Sequence, residues 1–347
     1  NQQGILVTIS PGSLVYIDTA LQQVIVSHLI SLKQVFPFVT FLKGDFNLYL
    51  STNANSNFIL YADTIYNRLA KRNISSKLFS LDYIKYRLQH VSYLNNQHNF
   101  LKKYQHINSD GIPRGLLYNL AYKNTMLTPS LKNFFELIKR INLRIILTAI
   151  FIVFTVLLLF TKNRRSICLV YVIFTTGITA MIFTLVLSLG FQIRYGYLYY
   201  QINLLITIFI GGNALGGFLS NVTNAYKKNS LLLSEAFLII LLMIILLSLR
   251  NQAFPSLFNK PIDFYLLLLM AGFLVGFQFP LTNRYYYNYE RSIIKVAGQL
   301  YASDLLGGFV SAIITPIILI PIIGIQQTLF LAMILKMTSL LLILTLK

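Results

Sequence analysis

The stretch SICLVYVIFTTGITAMIFTLVLSLGFQI, residues 166–193, contains no Asp, Glu, Lys or Arg, and its reading decides the fold. A bilayer core of about 30 Å takes roughly 20 apolar residues as a helix, so this run is long enough to cross. Uncharged runs at 195–226, 264–283 and 305–335 reach the same length. With the shorter apolar stretches they give seven expected spans, near 141–160, 166–190, 198–219, 231–249, 262–281, 297–322 and 325–346. Pro316, Pro321 and Gly324 fall late in the sixth, which is expected to kink and to end near 322.

Outward from these runs, charge divides the chain. Residues 1–145 hold 16 Lys/Arg and 6 Asp/Glu, against 13 and 4 in the longer and far more apolar remainder. Residues 1–140 therefore read as a soluble part and 141–347 as an all-α polytopic membrane bundle of about seven helices. The formal net charge of +19 does not point to nucleic acid. The basic residues stand singly or in short groups at the ends of apolar runs, where they anchor at lipid headgroups, so the partner they indicate is the bilayer. Cys168 is the single cysteine, which excludes a disulfide framework or a thiolate metal cluster within one chain.

The soluble part reads as α/β. Ile5 to Ile9 is a short β-branched run closed by Ser10, Pro11 and Gly12, the pattern of a buried parallel strand. Residues 19–35 repeat apolar positions at helical spacing, and FVTFL (38–42) and FNLYLS (46–51) are joined by a Gly-containing turn that predicts an antiparallel hairpin. Residues 62–72 predict a helix with Asp63 as its cap, and 80–127 reads as short helices and loops. The chain opens on NQQGILVTIS, with no basic region and no cleavable apolar core, and is expected to begin within a domain. An open sheet edge and an uncovered apolar face are then expected.

Chemistry-bearing motifs are sparse in this part. There is no phosphate loop, no G-x-G-x-x-G turn and no metal-binding spacing among His28, His90, His98 and His106. Asp45, Asp82 and Asp110 each stand beside turn residues, where a carboxylate caps backbone N–H groups.

The bundle is more informative. Gly212/Gly216, Gly272/Gly276 and Gly308/Ala312 set small residues four apart in three spans, which lets helix backbones approach closely in lipid. Polar residues inside a membrane are costly and mark function by default. The candidates are Gln192, Asn213, Gln278 and Asp304, with Asn203, Glu235 and Lys336 also within spans. They describe either a polar pocket for a substrate or ion, or, for Asp304, a packing and hydrogen-bonding node near a helix entrance. Lys336 lies about 10 Å from Asp304 in depth by these spans, at roughly 1.5 Å per residue.

Several segments together resemble a known family, the membrane-fused branch of spermidine synthases (polyamine aminopropyltransferases). In the soluble part these are GILVTISPGS, VFPFV, GDFNLYLST, ILYADTIYNRLAKR, LDYIKYRL and NSDGIPRGLLYNL. In the bundle they are FTTGITAMIFTLVLSLGFQIRYGYLYYQINLLITIFIGGNALGG, GFLVGFQFPLTN and AGQLYASDLLGGFVSAIITPIILIPIIG. The resemblance implies that residues 1–140 are the C-terminal part of a Rossmann, methyltransferase-like domain. It further implies transfer of an aminopropyl group from decarboxylated S-adenosylmethionine, as co-substrate, to an amine. The glycine-rich turn and catalytic Asp that the family uses have no counterpart in these residues, so no catalytic, cofactor-binding or metal residue is assigned here. The N-terminal half of the synthase domain is then an expected partner.

Ile9 and Ser10 are the candidates for the edge of the substrate pocket. Soluble members place a Gln at the position of Ile9, which cannot bond an ammonium group and so departs from a putrescine site. Many members also carry Glu at the positions of Thr184 and Gln278, which would leave Asp304 as the main acid of the core. The alternatives are a membrane transporter or binding protein with a non-catalytic synthase-like domain, and a decayed gene product. A homo-oligomer stays open.

The expected location is an integral multi-pass membrane protein with its soluble part in the cytoplasm. Seven alternating spans would then place 8 Lys/Arg in outer loops and 3 in inner ones, the reverse of the positive-inside rule. A miscounted span would remove the conflict.

Overall fold

A computed structural model describes residues 4–14, 17–54, 61–74, 80–89, 107–128, 130–161, 165–196, 199–223, 228–250 and 260–346. His90, His98 and His106 lie outside these residues. The chain divides into two compact units, Asn1–Lys139 and Arg140–Lys347.

In the N-terminal unit, strand β1 (Ile5–Pro11) leads into helix α1 (Thr19–Val35), followed by the hairpin β2 (Phe38–Leu42) and β3 (Phe46–Thr52). Asp18 caps α1 by accepting a 2.7 Å hydrogen bond from the Leu21 N–H, which satisfies one of the free donors of the first turn. The sheet order is β1-β3-β2, and β3 is antiparallel to both neighbours. β1 and β2 thus run in the same direction with β3 inserted between them. A one-face core of Leu21, Ile25, Leu29, Phe41 and Tyr49 holds α1 to the sheet.

Two expectations for β1 need correction. Its described partner is antiparallel, and the strand is largely uncovered: Ile5, Val7 and Ile9 are 56%, 52% and 64% exposed. Alternation places these three on the face opposite α1, beside exposed Phe46. Among the described residues no strand pairs with the outer edge of β1. Helices α2 (Ala62–Lys71), α3 (Leu81–Gln89), α4 (Arg114–Leu127) and α5 (Leu131–Lys139) complete the unit. Asp63 is not the cap of α2. Tyr61 holds that position without a side-chain bond, and Asp63 lies in the first turn, where its charge favours the helix dipole.

The second unit contains α6 (Leu143–Thr161), α7 (Arg165–Tyr195), α8 (Tyr199–Val222), α9 (Lys228–Arg250), α10 (Pro261–Glu290), α11 (Ile293–Ile314) and α12 (Ile325–Thr345). Six helices are long and apolar enough to cross a membrane, from α7 to α12, with α11 continuing to Ile323. The first expected span, α6, adds a seventh only when taken with α5. The sixth behaves as expected: the helix passes through a π-helical turn at Thr315–Leu319, where Pro316 has no N–H for the regular ladder. It ends at Gly324, whose φ of 93° is a conformation that L side chains rarely adopt.

Glycine sets the two closest helix pairings. Gly212 and Gly216 of α8 face the carbonyls of Leu269 and Phe273 on α10, while Gly272 and Gly276 face those of Phe209 and Asn213 on α8. A Cβ at any of the four would run into backbone oxygen, so the pairing exists because these residues are glycine. Between α7 and α11 the same part is played by Gly177 and Gly307, not by the expected Gly308, where a Cβ would meet only ordinary contact. Ser303 and Ser311 fasten this pair by donating across to the carbonyls of Val170 (2.7 Å) and Ile178 (3.1 Å).

Candidate functional site

The membrane core closes around charge. Glu235 on α9 and Lys336 on α12 are both fully buried, and Lys336 Nζ lies 2.9 Å from Glu235 Oε2. The helices bring them together because α9 and α12 are antiparallel neighbours. Lys228, at the start of α9, donates to the carbonyls of Leu344 and Leu346 at the end of α12. Seven residues into α9 and eight residues back from Leu344 are the same depth, about 10–12 Å from that end.

The polar atoms of this node are bonded to one another, with Glu235 Oε2 held by the ion pair alone. Lys336 donates to Glu235 Oε1 (3.0 Å), Thr176 Oγ1 of α7 (2.8 Å) and Gln278 Oε1 of α10 (3.4 Å). Gln278 turns its amide nitrogen to Glu235 Oε1 at 2.7 Å, and Ser339 of α12 donates to the same oxygen at 2.7 Å. Thr176 Oγ1, which accepts from Lys336, has Gln278 Oε1 (2.9 Å) and the Val172 carbonyl (2.8 Å) within reach of its single proton. Glu235 Oε1 accordingly takes three donors, while Oε2 meets Lys336 as an ion pair without hydrogen-bond geometry. A neighbouring bond, Tyr171 OH with Thr338 Oγ1 at 2.8 Å, ties α7 to α12 again.

Removing two charges from water costs several kcal/mol per ion, which only close pairing and full hydrogen bonding offset. The four-helix convergence supplies the pairing and three donors to Glu235 Oε1, while Oε2 has the ion pair alone. It also corrects the expectation that Asp304 is the main acid of the core: Glu235 is the enclosed carboxylate and the partner of Lys336. Asp304 is half-buried on α11, its carboxylate against Gly177 of α7. Among the described residues no hydrogen bond reaches that carboxylate, so the packing part of its expected role is present and the bonding part is not.

The other candidates do not join this node. Gln192 is half-buried on α7, about 24 Å along the helix from Thr176 at 1.5 Å per residue. Its carbonyl accepts from Gly196 N–H at 2.9 Å near the end of the helix. Asn213 lies against Gly276, a helix-contact position. Gln278 alone of the four is central. Thr184, the other position where the resemblance implies Glu, donates to the Ala180 carbonyl of its own helix (3.0 Å), its one bond among the described residues.

In the N-terminal unit Ile9 and Ser10 point to opposite faces of β1. Ile9 is on the open face, while Ser10 is buried with its hydroxyl 3.1 Å from Tyr49 OH. They therefore cannot line one side of a pocket together. Thr8 Oγ1 is bonded to His28 Nε2 at 2.9 Å, joining strand and helix, and burial lowers the pKa of His28. The same core raises the Tyr49 hydroxyl to about 12 by burial, against the opposing bond from Ser10. Among the described residues no group of three His, Cys, Asp or Glu could hold a metal ion.

Comparison with protein families, with curated proteins and with solved structures finds no match to this chain.

Proposed function

We propose that the chain is the C-terminal part of a membrane-bound, spermidine synthase-like aminopropyltransferase. In this reading the N-terminal unit closes one end of the synthase domain and the helical bundle anchors it in the bilayer. The observation that carries it is the β1-β3-β2 sheet with α1 on one face only. Among the described residues the outer edge of β1 is unpaired and Ile5, Val7 and Ile9 are uncovered, as expected of part of a longer α/β sheet without its other strands and opposite helix layer. Those strands would bring the nucleoside site and the catalytic Asp. An amine nitrogen would attack the propyl carbon of decarboxylated S-adenosylmethionine, the carbon–sulfur bond would break, and methylthioadenosine would leave.

Ile9, near the end of β1, lies where open α/β sheets place ligands. Its apolar side chain favours an acceptor whose alkyl part, and not an ammonium, passes that point. Methylthioadenosine release by membranes carrying the complete reading frame, assayed across a series of diamines and monoamines, tests the proposal. Failure of every amine in the series to release methylthioadenosine defeats it.

Sidedness follows from the span count. If the six helices α7 to α12 cross and α6 does not, the loops with Arg164/Arg165, Lys227/Lys228 and Arg284/Arg291/Lys295 share the side of the N-terminal unit. The positive-inside rule then puts that side in the cytoplasm, where a polyamine enzyme finds its substrates. Reporter fusions between α7 and α8 and between α8 and α9 check this: the first is expected outside and the second inside.

A second reading is favoured by the Lys336–Glu235 node, which a simple anchor does not need, because well-packed apolar residues would be as stable. It is a membrane transporter or binding protein whose synthase-like domain is non-catalytic. Uptake by proteoliposomes of the wild type and of Glu235→Gln separates it from the first.

A further inference from the structure

α8 and α9 follow one another in the chain but stand apart, because each is committed elsewhere. The glycine seam locks α8 to α10, and the Glu235–Lys336 pair draws α9 to α12. Between them lies a cavity of about 780 Å³, the size of a whole ligand site. Gly212 and Phe273 of the seam line it on one side. Ser234 and Phe277 border it beside Glu235 and Gln278, whose 2.7 Å bond ties α9 to α10.

The lining separates into a long apolar part and a polar end. Leu233, Phe237 and Ile240 of α9, Met270 of α10 and Leu215 of α8 line the cavity and are also exposed, so within a bilayer it opens sideways to lipid. No charged side chain lines it, which excludes a polyamine or an ion as its occupant. The polar lining residues, Asn229, Ser230 and Ser234, all belong to the first two turns of α9. Ser234 donates to the Leu231 carbonyl of its own helix (2.8 Å), whereas among the described residues Asn229 and Ser230 have no hydrogen-bond partner for their side chains. From Asn229 to Ile244 the lining runs about 22 Å along α9 at 1.5 Å per residue. Half a bilayer core is about 15 Å, so one acyl chain fits along it.

The polar end is also the basic end. Gln278, which precedes Arg284 on α10, meets Glu235, which follows Lys228 on α9, so Lys228 and Arg284 stand at the same end of the bundle. Arg284 there donates to the carbonyls of Ser220 and Asn221, at the end of α8. Lys227 and Arg291 add to this charge, and the one acid between 281 and 300, Glu290, is paired with Lys295. A basic surface at the headgroup level favours an anionic lipid over a neutral one.

We propose that the cavity is a binding site for an anionic phospholipid of the surrounding bilayer, with one acyl chain along α9 and the phosphate held at Asn229 and Ser230. The inference rests on the bundle alone, and loss of transferase activity or of solute uptake leaves it standing.

The sequence contains no tryptophan, so a single introduced indole reports on its own surroundings. Phe237→Trp places one in the cavity. Tyr301→Trp, exposed eight residues into α11, places one outside it at about the same depth. Each full-length variant is reconstituted in phosphatidylcholine with increasing phosphatidylglycerol, and quenching by acyl-brominated forms of either lipid gives their relative binding at that point. An anionic-over-neutral ratio of roughly five is expected at 237, the preference that one basic residue confers at a membrane surface, and a ratio near one at 301. Asn229→Ala with Ser230→Ala is expected to lower the ratio at 237. Should Phe237→Trp not fold, Leu233→Trp reads the same cavity one turn nearer the headgroup. A ratio near one at 237 means bulk lipid only, and equal ratios at 237 and 301 mean a preference of the whole surface. Either result overturns the site, as does an indole at 237 that no brominated lipid quenches. A ratio unchanged by the double alanine variant overturns the placing of the phosphate.

Discussion

The two units solve opposite problems. The N-terminal unit covers one face of its sheet with α1 and leaves Ile5, Val7 and Ile9 of the other face open, while its side-chain hydrogen bonds are dispersed over separate pairs such as Thr8–His28 and Ser10–Tyr49. The membrane unit shows apolar surface outward, and polar side chains of four helices meet in the node around Glu235 and Lys336. Water rewards apolar contact in the first case. Lipid does not reward it in the second, so close backbone contact and matched charges do the specifying there.

The sharpest way to break this contrast is to unpair the charges. Lys336→Met leaves Glu235 buried without its cation and is expected to cost about 3–5 kcal/mol of bundle stability. Glu235→Leu with Lys336→Met should recover most of that loss, since a well-packed apolar pair replaces a balanced ionic one. Thermal denaturation of both proteins in the same detergent measures the difference. A double variant no better than the single one would show that the node is not organised around this pair.

Next is the glycine seam. Gly216→Leu or Gly276→Leu must push α8 away from α10, because the added carbons meet backbone that cannot rotate aside. A loss of about 1–3 kcal/mol or more is expected from overpacking. Gly217→Leu, where a Cβ would find only ordinary contact at 3.6 Å, should cost far less. Equal losses at 216 and 217 would remove close approach as the explanation.

The seam was readable from Gly212, Gly216, Gly272 and Gly276, because four-residue spacing alone brings small residues to one helix face. Most spans and the strands of the N-terminal unit were readable from uncharged length and from turn residues. The ion pair was not read. Lys336 was weighed only against Asp304, as the sequence gives depth but not which helices adjoin, although Glu235 and Lys336 stand at equal depth on antiparallel spans. Gly307 was missed in favour of Gly308 because neighbouring positions on a helix differ by about 100°, and only the partner helix chooses between them. The open edge and uncovered apolar face are as expected, whereas the reading of β1 as a buried parallel strand fails because β-branched residues mark a strand without saying what covers it or which way its partner runs.

In the N-terminal unit the equivalent of the node is a single side chain. Asn47 is fully buried, donates to the Pro11 carbonyl at 2.9 Å and accepts from the Gly44 N–H at 3.2 Å, joining the end of β1 to the hairpin turn. Asn47→Ala takes the side-chain acceptor from the Gly44 N–H and leaves the Pro11 carbonyl with the longer 3.2 Å bond from Ser10 Oγ. A loss of about 1–3 kcal/mol is expected, read as faster hydrogen exchange in β1 and β3 with the bundle unaffected. Faster exchange spreading into α8 to α12 would contradict the division into two units.

The smallest effect is a dependence on pH. Burial lowers the pKa of His28 from its ordinary 6.5, and its Nε2 is bonded to Thr8. The unfolded chain therefore binds a proton at a higher pH than the folded unit does, so stability contributed by neutral His28 is complete above about 6.5 and falls as pH drops below it. His28→Gln keeps a polar group near Thr8 but cannot titrate, and should flatten the dependence between pH 7 and 5. Hydrogen exchange of α1 against pH in the two proteins measures it. The bundle, whose residues 140–347 include no histidine, should not follow the same curve.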